Sequence, residues 1–246
     1  MNTSSRGTKI LGAISGALVA ATLLYAFVLS KPDTELGETV RIMYVHVPTV
    51  ITAYLLVFLA GGASIYYLWK RSEFADLLAA SATELGAIFL GLTLLTGSLW
   101  GRPTWGVYWV WDARLTTTAL LFLMMVGNLA VRSLPAEPRA RGTRTAVMGI
   151  MALVLLPIVH KSVEWWNSLH QDRTVLGTAD AKLDGTQLFA LFIAMVAVPM
   201  LATWLLMHRF RVAWLAERAA DLGLGAAIER RRDEGGEATG PAGVMP

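Results

Sequence analysis

The sequence has no cysteine among its 246 residues. That absence excludes disulfides, thiolate metal sites, thiol–disulfide exchange and the thioether attachment of a prosthetic group through C-x-x-C-H. Charge is also scarce. Charged residues make up 16% of the chain against 55% hydrophobic, where a soluble domain carries about 25% charged residues. There is no P-loop, no G-x-G-x-x-G, no HExxH and no nucleophile elbow, so nothing signals nucleotide use or hydrolysis. What fills the chain is apolar sequence in long runs.

Six stretches approach the ~20 apolar residues that cross a bilayer as a helix: Ile10–Leu29, Val47–Trp69, Thr83–Leu99, Ala113–Val131, Thr145–Val159 and Thr186–Met207. They predict an all-α, polytopic membrane protein with six transmembrane helices and little room for a water-soluble domain. The net charge of +3 is topological. If the N-terminus is cytoplasmic, 14 of the 21 basic residues fall on its side and 7 on the other. That bias follows the positive-inside rule, puts both termini in the cytoplasm and implies no nucleic-acid partner. Arg6 and Lys9 ahead of the first run resemble a signal peptide. The run is longer than a typical h-region and no clean small-x-small site follows it, so it reads as a retained helix. Residues 1–209 form the six-helix domain and 210–246 a cytoplasmic tail, helical over Phe210–Arg232 and disordered beyond. The inner loops are Lys70–Ala82 and Arg132–Arg144. No internal repeat is visible, and Gly12-x-x-x-Gly16 is too common in apolar segments to carry weight.

The outer side holds the chemistry. Its first loop, Ser30–Val45, is acidic (Asp33, Glu35, Glu38). Its second, residues 100–112, reads WGRPTWGVYWVWD, and its third, His160–Gly185, carries Trp165, Trp166, His170 and four acids. Six of the nine tryptophans lie on this side. An interfacial belt divides more evenly, so an indole platform for a planar apolar ligand is the better reading. Trp105 and Trp109, spaced i, i+4, would share a face of a helical turn. His46, just before Pro48, marks the outer mouth of the second span, and His160, after Pro157, the outer end of the fifth. Two imidazoles at one depth on different helices, beside aromatic sequence, suit the axial ligation of an iron porphyrin. His170 is the main rival ligand, while His208 lies among inner-side arginines. Arg41, Arg102 and Arg114 are outer partners for carboxylates such as propionates, or snorkel to lipid phosphates. Asp112 stands where it can cap the fourth span, which holds the tryptophan segment in place. Glu84, near the inner end of the third span, faces water or an arginine.

Residues 100–116, WGRPTWGVYWVWDARLT, resemble the WWD signature of haem-handling proteins of cytochrome c maturation. RIMYVHVP (41–48) and LPIVHKSVEWWNSLHQ (156–171) resemble the two histidine-bearing segments of one member, the haem exporter protein C family (CcmC). The related CcmF and CcsA proteins share the WWD element but are larger. The resemblance implies a protein of the bacterial inner membrane that takes haem on the periplasmic face and delivers it to the haem chaperone CcmE. It would work beside CcmD and the ABC-transporter subunits CcmA and CcmB, as a haem-transfer protein and not an enzyme. It also implies non-covalent haem b, with His46 and His160 as axial ligands and Trp100, Trp105, Trp109, Trp111 and Asp112 as the platform; Arg41 and Arg114 are the arginines assigned to the ligand. Two other classes remain as alternatives. A b-type transmembrane electron carrier needs histidine pairs on both sides, and the inner side has His208 alone. A small-molecule permease needs polar or broken helices at mid-membrane, where only Asn128 and Pro199 stand out.

Overall fold

A computed structural model describes residues 5–34, 36–166, 168–170 and 184–238. In chain order these residues form α1 (Arg6–Leu24), continued by one π-helical turn over Tyr25–Leu29, then α2 (Val40–Lys70), α3 (Glu73–Trp105), α4 (Ala113–Ser133), α5 (Pro138–Trp165) and α6 (Gly185–Ala238). All six are long and apolar enough to cross a membrane, as the hydropathy predicts.

Their ends depart from the apolar runs in a consistent direction. A helix satisfies its own backbone groups, so continuing it through the interface is the cheapest solution until a cap stops it. Thus α2 begins at Val40, and His46 and Pro48 lie inside it instead of at its mouth. The loop expected over Lys70–Ala82 shrinks to Arg71 and Ser72, with Arg71 left-handed at φ 54°. At 33 residues, α3 is about 50 Å long, well beyond the ~30 Å of hydrocarbon. It therefore carries Trp100 and Trp105 on the helix itself. It stops at Gly106, whose φ of 79° is costly for a residue with a Cβ. Trp105 and Trp109 consequently do not share a helical face. At the other end of the chain, α6 runs unbroken through Phe210–Arg232 to Ala238, so the boundary expected at residue 209 falls inside a helix, and helix continues past Arg232.

Packing centres on α2, which lies against α3, α5 and α6. It presents Ala53, Ala60, Gly61, Ala63 and Ser64 inward, small residues that let neighbouring backbones approach closely. Leu56, Val57, Leu90, Leu121, Met125 and Val159 fill the core around them. Phe58, Leu123 and Val154 remain exposed on the outer surface, where lipid takes the place of water. Several buried serine and threonine hydroxyls are satisfied within their own helices. Thr52 donates to the Pro48 carbonyl at 2.7 Å and Ser81 to Leu77 at 2.8 Å, the usual solution for serine and threonine in apolar surroundings. Gly12 has a packing role after all: a Cβ there would stand 2.5 Å from Trp204 Nε1, so α1 leans directly on α6, whereas Gly16 meets nothing.

The end opposite the tryptophans is tied by ion pairs between helices. Arg132 forks onto Asp76 at 2.6 and 2.9 Å, Arg141 meets Glu217 at 2.7 Å, and Glu84 takes the Arg209 guanidinium at 2.6 Å, as its position predicts. Asn128 donates to the Thr145 carbonyl at 3.1 Å, a structural tie between α4 and α5. Before α6, Asp184 accepts from Thr186 N–H while Gln187 reaches back to the Asp184 N–H at 3.0 Å, a reciprocal cap. Hydrogen bonds from the Thr186 N–H and hydroxyl hold the Asp184 carboxyl below its usual range.

Candidate functional site

At the tryptophan-bearing end, α2, α3, α4 and the loops that follow α3 and α5 enclose a cavity of about 170 Å3. His46 and Tyr54 enter from α2, Trp100 and Trp105 from α3, Trp109 from the loop, Arg114 from α4, and His170 from the segment after α5. Aliphatic residues, among them Val47, Val50, Ile51 and Leu94, complete the walls. The rings meet edge to face: Trp100 and Trp105 at 5.9 Å between centroids, Trp105 and His170 at 6.4 Å. This is a favoured aromatic geometry that gives large rigid surfaces at right angles.

The polar groups are few and directed. His46 Nδ1 lies 2.9 Å from Thr96 Oγ1. Arg114 donates from Nε to Ser162 Oγ at 2.9 Å and from Nη2 to the His160 carbonyl at 3.0 Å, which braces α4 against α5 and fixes the guanidinium at the cavity wall. The indole N–H groups of Trp100 and Trp109 are buried with no acceptor among the described residues. Each such donor costs about 1–3 kcal/mol.

Asp112 forms the cap that its position predicts: Oδ1 accepts from Leu115 N–H at 2.8 Å. Its other oxygen accepts from the Ser168 hydroxyl, and Ser168 Oγ in turn accepts from the His170 N–H at 3.1 Å. One carboxylate therefore starts α4 and anchors the turn that delivers His170.

The remaining candidates divide. His46, Trp100, Trp105, Trp109 and Arg114 come together on the cavity. Trp111 touches Trp109 edge-on at 5.5 Å but is 81% exposed and off the wall. Arg41 is engaged elsewhere, with Glu38 and the Ala26 carbonyl, and braces the first outer loop against the end of α1. Arg102 turns back onto the Gly106 carbonyl. The cavity's second histidine is His170 and not His160. The helix explains the difference. α5 continues to Trp165, Val159 and Ser162 are its buried positions, and at 3.6 residues per turn the neighbouring His160 is swung about 100° from Val159. Its ring rests edge-on to Tyr54 at 6.3 Å, and its carbonyl serves Arg114. Residues 171–183 of the third outer loop, with Asp172 and Asp180, lie outside the described residues. Tyr54 and Thr96 were not anticipated, since neither stands in a motif.

The fold and the cavity together define a polytopic helical membrane protein with an aromatic cavity, lined by two histidines, at one end of its bundle. The family described as Heme exporter protein C matches residues 1–223, and the chain belongs to that family. A Heme exporter protein C from Bradyrhizobium diazoefficiens is 39% identical over 214 residues, covering 85% of this chain and 80% of the relative. One from Haemophilus influenzae is 34% identical over 203 residues, 82% of each. A cytochrome c biosynthesis ccmC-like mitochondrial protein of Marchantia polymorpha is similar too, 33% identical over 172 residues, 70% of this chain and 73% of the relative.

Proposed function

We propose that this protein binds haem b non-covalently in the cavity at the periplasmic face of the bacterial inner membrane and delivers it to the chaperone CcmE for c-type cytochrome biogenesis. The observation that carries this reading is the meeting of two histidines from different elements with Trp100, Trp105, Trp109 and Arg114 in one apolar cavity. Haem brings four nitrogens to its own iron and leaves two axial positions, which suit a pair of imidazoles. Arg114 is suited to its propionates. The geometry favours His46 with His170 as that pair, in place of His46 with His160. With about 170 Å3 inside the cavity, a porphyrin enters edge-on and keeps part of its ring outside, where a chaperone can reach it. With no cysteine, the protein forms no thioether to its cargo.

The two ligands differ in how they are held. His46 sits within a packed helix, whereas His170 sits on a turn fastened through Ser168 and Asp112. Segments with few buried contacts open at lower free energy than packed helices, so His170 is the ligand that yields first on transfer. The basic bias supports a periplasmic position for the cavity, with the outer acids facing the chaperone. CcmD, CcmA and CcmB complete the assembly, and the protein's part in it is transfer and not catalysis. The name of the Marchantia relative supports the cytochrome c assignment.

The test is the absorption spectrum of purified protein with added haem. Wild type and His160→Ala should give a six-coordinate low-spin spectrum, while His46→Ala and His170→Ala should lose it. Loss in His160→Ala with retention in His170→Ala would return the ligand role to His160. Retention in all three would sink the axial reading.

A further inference from the structure

His46 and Thr96 belong to α2 and α3, and their contact decides more than the position of a ring. A hydroxyl has one proton and two lone pairs. Thr96 Oγ1 stands 2.9 Å from His46 Nδ1, 2.7 Å from the Leu92 carbonyl oxygen one turn back, and 3.3 Å from that of Thr93. Both carbonyls can only accept. If the hydroxyl proton turned to His46, lone pairs of Oγ1 and the Leu92 oxygen would face each other at 2.7 Å with no hydrogen between them. The proton therefore goes to Leu92, and a lone pair is left for the imidazole. The ring group that can use a lone pair is Nδ1–H. In a neutral imidazole with its proton on Nδ1, the free lone pair is on Nε2. The next residue completes the cradle. A Cβ at Gly97 would lie 3.1 Å from His46 Cε1, closer than ordinary van der Waals contact, so glycine lets the ring lie against the α3 backbone.

We infer that Thr96 is a positioning residue that, with Gly97, locks His46 in the Nδ1–H tautomer and leaves Nε2 as the nitrogen that offers its lone pair in the cavity. The identity of the acceptor, haem iron, rests on the function proposed above; the tautomer does not. A ligating imidazole whose second nitrogen donates a hydrogen bond is held in orientation and made more basic, and losing such a partner typically lowers metal affinity about 10–100-fold. The lock also spares entropy on binding, because the ring neither turns nor changes tautomer when its ligand arrives.

Nitrogen NMR of the full chain, histidine-labelled, haem-free in nanodiscs and at a pH where imidazole is neutral, reads the tautomer directly. The His46 signal is assigned by its loss in His46→Gln. Wild type should show Nδ1–H. Thr96→Val, which keeps the shape and removes the oxygen, should shift His46 toward a mixture, and Thr96→Ser should restore the wild-type signal. In a second arm with added haem, Thr96→Val should weaken binding about 10–100-fold and raise the midpoint potential, because a less basic imidazole favours the oxidised iron less. Thr96→Ser should recover both. An Nε2–H tautomer in wild type overturns the inference without any variant having to fold, and so does a His46 signal in Thr96→Val unchanged from wild type. An Nδ1–H wild type whose haem spectrum survives His46→Ala would uphold the tautomer lock and refute the haem-ligand reading instead.

Discussion

Replacing Asp112 by alanine should release His170 without unfolding the bundle. The carboxylate has two functions, through separate oxygens. One caps α4 on Leu115 N–H at 2.8 Å, and the other accepts from Ser168, which holds the His170 N–H at 3.1 Å. A lost N-cap costs about 0.5–2 kcal/mol, and a hydrogen bond to a charged group contributes about 1.5–3 kcal/mol. The carboxylate is partly exposed, so solvent screening puts both at the low end. Together they amount to about 2 kcal/mol, or about thirty-fold in the balance between held and released turn. Haem titration followed by absorption, beside a thermal melt, measures the consequence. Asp112→Ala should bind haem about thirty-fold more weakly and with a high-spin component, while the main unfolding transition moves little. Asp112→Asn keeps an oxygen for the cap and offers an amide N–H to Ser168 Oγ, so it should stay within about threefold of wild type. A low-spin spectrum and wild-type affinity in Asp112→Ala would refute the anchoring of His170 through Ser168. Equal loss in alanine and asparagine would mean that the charge itself acts, and the capping account would fail.

Trp109→Phe should keep the low-spin spectrum and release haem faster, since a smaller aromatic face remains; unchanged release would remove Trp109 from the platform. A reporter active only outside the cytoplasm should be active when fused after Gly106 and inactive after Arg141, and the reverse pattern would invert the sides read from the basic bias. Arg132→Ala strands the Asp76 carboxylate, with only 13% of its side chain exposed, and should cost about 3 kcal/mol of stability. The double variant Asp76→Asn with Arg132→Ala should lose less than the sum of the single losses, and additivity would show that the pair does not interact.

Much of this protein is legible in the chain because its causes are local. Hydrocarbon of fixed thickness demands a run of apolar residues whatever the neighbours do, so all six spans can be counted from the sequence. Asp112 can be recognised as a cap because a cap needs only the three residues that follow it. The basic bias needs no contacts at all. The helix ends are less legible, because hydropathy marks where lipid stops and the backbone stays helical until a cap or a left-handed residue ends it, as at Arg71 and Gly106. That shift decides which second histidine meets the cavity. His160 lies at the end of the apolar run, but α5 continues past it, and the rotation of the helix turns its ring away from the cavity wall that His170 joins. Only tertiary structure could bring His46 to Thr96, Asp112 to Ser168, or Arg114 to the His160 carbonyl. Each pair lies more than 40 residues apart, and its contact depends on the rotation and depth at which two helices pack, which apolar periodicity constrains to a face but not to an atom.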